Sequence, residues 1–264
     1  MVRKLSQRAY LTIMLIFLYA PILTLIILSF NKSKSRAKWG GFTLKWYKEL
    51  FSNQDILNAL YVTLLIAFLS ALIAVILGTL ASVAMNSMKK KPRALLMAVT
   101  NIPMLNADIV TGISLMLLFI FMNLFFKTRI RLGFGTVLLA HITFNIPYVI
   151  LSIMPKLRQI NKNTYEAALD LGASPIYAFY KVILPEIFPG ILSGFLLAFT
   201  MSLDDFTITY FTTGPGIDTL STKIYTEVRK GIKPEIYALS TLMFVAVLIL
   251  LVLINRKTDK KEKA

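Results

Sequence analysis

The chain has 264 residues, 56% of them apolar, a mean hydropathy of +0.69 and a formal net charge of +16. That composition excludes an ordinary soluble domain. Without cysteine there is no disulfide framework, thiolate nucleophile or cysteine metal site. The basic excess lacks a basic face interleaved with aromatics, which argues against nucleic acid and for a membrane surface as its partner.

Taken in order, the apolar runs are long enough to cross a hydrocarbon core of about 30 Å. The first is Ala9–Asn31, and the second lies between Asp55 and Lys89. The third, Arg93–Lys127, is interrupted only by Asp108, and the fourth, Arg131–Lys156, only by His141. Two more lie between Glu186 and Asp204 and between Glu235 and Arg256. Six crossings put both termini on one side. The first run follows Arg3, Lys4 and Arg8 but exceeds the usual core of a secretion signal. "APILTLIILSFN" also offers no small-x-small cleavage site, so it reads as a retained helix. The dense basic clusters "KKKPR" at 89–93 and "RKTDKKEKA" at 256–264 place the termini in the cytoplasm. The overall bias is small, 16 of the 29 Lys and Arg falling on the inner side. The expectation is an all-α membrane protein of six transmembrane helices, a single transmembrane domain over residues 1–264.

Local patterns refine this. In "TLKWYKELFSN", Leu44, Tyr47, Leu50 and Phe51 predict a short interfacial helix, with Trp46 and Tyr47 at headgroup level. Ala67, Ala71, Ala74, Gly78 and Ala81 form a small-residue stripe suited to close helix contact in lipid. His141, Asn145, Tyr148 and Ser152 form a polar stripe on the fourth span. It must face the bundle interior or a wet pathway. His141 reads as an interior hydrogen-bonded histidine rather than a metal ligand, because no partner stands at metal spacing.

Residues 163–185 interrupt the apolar pattern. Asn163 predicts an N-cap with Glu166 as its capping-box partner, and Gly172 a helix stop. Ser174 and Pro175 start a second short helix, and Pro185 and Pro189 bracket the start of the fifth span. The expected product is a bent pair of cytoplasmic helices. Ala167, Ala168 and Leu171 give one a small apolar face; Ile176, Phe179, Tyr180 and Ile183 give the other a larger one. The run Glu166-Ala167-Ala168, with Gly172 and then Leu184-Pro185 beyond, resembles the EAA loop of binding-protein-dependent ABC importer permeases. The resemblance implies the fold of a type I importer permease, whose coupling helices sit in a groove of the ATPase. "NADIVTGISLMLLF", "AHITFNIPYVI", "FTMSLDDFTITYFTTGP" and "KIYTEVRKGIKPEIYALST" are similar to the spermidine/putrescine branch of that family. That likeness implies a second permease subunit, an ATPase dimer carrying ATP and magnesium, and an extracytoplasmic polyamine-binding protein. This chain itself is expected to bind no cofactor.

Intramembrane carboxylates need a partner or water, which makes Asp108, Asp204 and Asp205 candidates for a cation path. Asp108 falls well inside the third span, where Pro103 and Gly112 suit a bent or opened helix. Tyr19, Trp46 and Tyr148 are candidate aromatic faces for ammonium groups. The polyamine resemblance carries over Trp46, Asp108, Ser202, Asp204 and Asp205 as substrate-path residues. Alternatively, Asp204 and Asp205 cap the outer turn or pair with Lys223 or Arg229. No phosphate-binding loop or hydrolase set occurs, so the chain reads as a permease rather than an enzyme. An ABC permease for another small cationic or polar solute is the nearer rival. A proton-coupled carrier built on Asp108 and His141 is the more distant one, since it has no use for an ATPase dock.

Overall fold

The computed structural model describes residues 2–262 apart from 36, 128–129 and 231–232, with side chains described except at 2–6, 9, 162 and 250–262. The tail at 256–264, and Arg3 and Lys4, therefore lie outside the described side chains. The described chain forms two compact units, 1–57 with 223–264, and 58–222.

In the first unit, α1 (Val2–Ser29) runs to a buried asparagine, Asn31. α2 (Lys45–Ser52) is amphipathic, but its buried face is not the one the sequence suggested. Trp46 and Leu50 are buried, whereas Leu44 and Phe51 are exposed. The reason is a hydrogen bond: the Trp46 indole N–H donates to the Asn31 carbonyl at 2.7 Å, which turns that face inward. α12 (Pro234–Glu262) completes this unit and packs on α1 and α2.

The second unit begins inside α3 (Gln54–Ser87), whose alanine stripe does what its spacing implied. Ala67, Ala71 and Ala74 are wholly buried. The third apolar run is a correction. It is not one span but two helices, α4 (Lys90–Leu105) and α5 (Asp108–Phe126). Asn106 and Ala107 are extended between them. Pro103 removes a donor from the last turn of α4, and Asp108 sits in the first turn of α5, where the helix dipole favours an acid. Asp108 is thus at a helix start and not deep within a span.

α6 (Phe134–Gln159) is the most enclosed helix of the unit, and α9 (Leu184–Asp204) runs against it. Before α9, α7 (Lys162–Asp170) and α8 (Pro175–Ala178) form the loop region. α8 does not end as a separate helix. It widens through a π turn at Phe179–Ile183 and continues into α9, with Pro185 in its first turn and Pro189 inside it. The missing N–H of Pro185 forbids the ordinary ladder at that point. α10 (Thr207–Thr212) and the beginning of α11 (Leu220–Lys230) close the unit.

Among the described residues, five helical stretches are long and apolar enough to cross a membrane: 10–29, 54–87, 108–126, 134–159 and 175–204. The sixth expected crossing corresponds to a shorter apolar stretch, Pro234–Ile249.

Within the second unit, α3 and α6 approach closely where Gly78 lies against Val149. A Cβ there would come within 2.7 Å of Val149 Cγ1 and 2.9 Å of Cβ. Overpacking of this kind costs about 1–3 kcal/mol. Gly78→Val should therefore lower the thermal midpoint of the detergent-purified protein by several degrees, while Ile76→Val, on an exposed face, should leave it within a degree.

Candidate functional site

The corner after α9 holds the adjacent carboxylates. α9 ends at Asp204 and Asp205 is extended, so their side chains part company. Asp204 is exposed, whereas the Asp205 carboxylate is 7% exposed. Asp205 caps α10: Oδ1 accepts from the Ile208 N–H at 3.2 Å, and Oδ2 accepts from the Thr209 N–H at 2.8 Å and its hydroxyl at 2.9 Å. His141 Nε2, on α6, lies 2.9 Å from Thr209 Oγ1 and 3.4 Å from Asp205 Oδ2. The Thr209 hydroxyl proton is already directed at Asp205, so the network assigns the imidazole proton to Nε2. His141 is 1% exposed, the interior hydrogen-bonded histidine expected from its spacing. Its ring engages Thr209 and Asp205 rather than Asp108, contrary to the acid–histidine relay of a proton-coupled carrier.

One turn along α6, Asn145 makes a second polar contact. Its Nδ2 donates to Ser202 Oγ at 2.8 Å and to Ser70 Oγ at 3.3 Å, and the two serines are 3.0 Å apart. All three residues are buried, so Ser202 joins α3, α6 and α9 instead of opening onto solvent.

Asp108 is exposed at the start of α5. One turn later, Gly112 lies against α10, where a Cβ would meet Phe211 Cδ2 at 3.0 Å and the Ile208 Cα at 3.3 Å. That contact brings Asp108 within electrostatic reach of both Asp204 and Tyr148. Tyr148 is half-buried, its ring 5.3 Å from that of Phe144. Neither Asp108 nor Asp204 carries an ion pair among the described residues of its unit. Two exposed carboxylates can take the ammonium groups of a cation and would repel an anion.

Tyr19 and Trp46 belong to the first unit. Tyr19 is 45% exposed on α1. Trp46 is buried by its bond to Asn31, a hub the sequence reading missed. Asn31 Oδ1 accepts from the Ser33 and Gly40 N–H groups, while Nδ2 donates to the Lys38 carbonyl. Lys223, the suggested partner for Asp204, stands 3.5 Å from Asp55 in this unit. Thr209 was also missed, although an aspartate followed by Phe-Thr-Ile-Thr is a readable N-cap signal.

The 163–185 region also differs in detail. The N-cap of α7 is Asn161, whose side chain accepts from the Asn163 N–H at 3.1 Å, so the helix starts two residues earlier than Asn163 implied. Its end is the expected one. Gly172 has φ +86°, its N–H donates to Leu169 O, and the Ala173 N–H donates to Ala168 O, the paired bonds of a Schellman stop. Ser174 caps α8 by accepting from the Tyr177 N–H. Glu166, Ala167 and Pro185 are exposed, and Leu184 packs on the core. Ala168, Leu171, Gly172, Ala173, Ser174 and Tyr177 line a shallow concavity of about 540 Å³. Leu171, Ile176 and Tyr180 project beside it, while Phe179 and Ile183 are half-buried.

Comparison with known proteins adds four findings. Residues 71–262 match the family profile described as "Binding-protein-dependent transport system inner membrane component". The chain is 36% identical over 252 residues to the spermidine/putrescine transport system permease protein PotC of Escherichia coli (strain K12), covering 96% of this chain and 93% of that one. It is 42% identical over 232 residues to the putrescine transport system permease protein PotI of the same organism, covering 88% and 83%. Among solved structures, it superposes with a TM-score of 0.75 on a chain of the bacterial alginate ABC transporter in complex with its alginate pentasaccharide-bound periplasmic protein. That pair is 17% identical and covers 96% and 92% of the two chains, a likeness of fold.

Proposed function

This chain belongs to the family of binding-protein-dependent inner membrane transport components, and we propose that it is the permease subunit of an ATP-driven polyamine importer. Membership makes it a multi-pass membrane permease. The observation that carries the substrate class is the exposure of Asp108 and Asp204, in a chain 36% and 42% identical to permeases named for spermidine and putrescine. The partners are a second permease subunit, an ATPase dimer holding ATP and magnesium, and an extracytoplasmic polyamine-binding protein; this chain binds no cofactor. The 163–185 region, with Glu166, Ala167, Ala168, Gly172, Leu184 and Pro185, is the ATPase-coupling surface and faces the cytoplasm together with both termini.

The energetics bear on mechanism. A trivalent polyamine entering a cell gains about 7 kcal/mol from a 100 mV inside-negative potential. The potential alone can drive influx, so ATP is needed chiefly to enforce alternating access and prevent a leak.

Three measurements test this reading. Asp108→Asn keeps the side chain's size and removes the charge that a polyammonium ligand meets. A hydrogen bond to a charged group is worth about 1.5–3 kcal/mol and a tenfold change needs about 1.4, so uptake at low substrate should fall by roughly tenfold or more at normal protein level. Full spermidine and putrescine uptake by this variant would remove the cation site. Gly172→Val forces a β-branched residue into the left-handed region; ATPase association or stimulation should drop while membrane insertion survives. Finally, cysteines placed singly at Lys34 and Lys90 should separate by sidedness, since the native chain has none. An impermeant thiol reagent on intact cells should label the first and spare the second; the opposite result reverses the orientation and the coupling assignment with it.

A further inference from the structure

We infer that His141 is a positioning residue for the transport path, acting through Thr209 and Asp205 to hold the corner from which Asp204 is presented. The inference rests on the polyamine-permease reading above, and it divides the two adjacent aspartates by role.

The division starts from hydrogen-bond capacity. Asp205 accepts three hydrogen bonds from α10, two of them from backbone N–H groups, and has His141 Nε2 within 3.4 Å. Its carboxylate is almost wholly enclosed. A carboxylate so occupied is a poor ligand for a passing ammonium group, because each new contact would displace an internal donor. Asp204, one residue earlier, is exposed and has no such set of donors among the described residues of its unit. The residue that contacts the cation is therefore Asp204, and Asp205 sets where it stands.

His141 completes the arrangement from a different helix. Asp205 and Thr209 are local to the α9–α10 corner, and by themselves would fix only the turn. His141 Nε2–H reaches the Thr209 hydroxyl at 2.9 Å from α6, so the corner is tied to the helix that also carries Tyr148. The ring is 1% exposed, which keeps water from competing for that bond. Removing the donor would leave the corner capped but free to shift relative to Tyr148 and to Asp108.

The test uses the complete importer, with its ATPase, partner permease and binding protein, reconstituted in proteoliposomes. His141→Leu removes the donor, whereas His141→Gln returns an amide N–H near the position of Nε2. Expected are a three- to tenfold rise in the KM for spermidine with His141→Leu at normal complex yield, and recovery to within about twofold with His141→Gln. Thr209→Val and Thr209→Ser form an independent pair, which carries the test if His141→Leu fails to assemble; valine should raise KM and serine restore it. Combining His141→Leu with Asp205→Asn should be no worse than the worse single change, because both break one network. Combining His141→Leu with Asp108→Asn should multiply the losses. An unchanged KM in an assembled His141→Leu or Thr209→Val importer overturns the inference, as does failure of both conservative variants to rescue. Wild-type importer that takes up no polyamine at all would instead overturn the functional reading, and is recognised before any variant is compared.

Discussion

The antiparallel approach of α9 to α6 is the contact from which the rest of the second unit takes its register. Gly190 and Gly194 make it possible. A Cβ on Gly190 would stand 3.0 Å from the Ser152 carbonyl, and one on Gly194 would stand 3.3 Å from the Val149 Cα. In lipid no hydrophobic drive favours helix association, so such close packing must come from shape and from polar pairing. With the glycines set against residues 149–153, Ser202 arrives two turns later beside Asn145, and Thr209 arrives beside His141. Each successive pair steps towards the amino end of α6 as α9 and α10 advance. A slip of one residue at the glycines would orphan two buried polar groups, each costing about 1–3 kcal/mol.

This ladder explains why polar residues sit inside an apolar bundle without forming a channel. Ser70, Asn145 and Ser202 are buried and hydrogen-bond to one another through the Asn145 Nδ2 and the two serine hydroxyls. The polar stripe on α6 is thus divided between a buried joint and a more exposed part. His141 and Asn145 belong to the joint, while Tyr148 is half-buried and next to Phe144. On the proposed reading, specificity for a cation would reside in few groups, the exposed carboxylates Asp108 and Asp204 on helix ends.

Much of this architecture was legible in the sequence because lipid imposes simple rules. Run length revealed the apolar helices, and spacing revealed the alanine stripe of α3, whose burial follows from the need for close approach. Gly172 was legible for a similar reason, since a stop in the left-handed region strongly prefers glycine. Tertiary hydrogen bonds were harder to read. Trp46 looked like a headgroup anchor, but its partner, Asn31, lies beyond a loop whose path no local pattern specifies. The break before Asp108 left only weak marks, Pro103 and an acid, within a run whose hydropathy remains continuous. Asn161 and Asn163 are equally good caps by residue type, and only the extended backbone at Asn161 distinguishes them.

The adjacent aspartates show where sequence reading reaches its limit and geometry takes over. Two identical side chains at 204 and 205 carry the same charge and the same propensities, and helical divergence says only that they need not face alike. What separates them is the backbone turn at Asp205, which leaves the helix and becomes the cap of α10. Once it does so, its carboxylate is drawn into the donors of the next helix, and its neighbour is left at the exposed end of α9. A charge that is fully hydrogen-bonded inside the protein fixes position; a charge left in contact with water is available to a ligand. The same distinction holds for the lone aspartate at the start of α5, which the packing of Gly112 against α10 brings near Asp204 without enclosing it. In the polyamine importer proposed above, rigid polar joints behind and solvated carboxylates in front would let a polyammonium ion pass without being bound so tightly that it cannot leave.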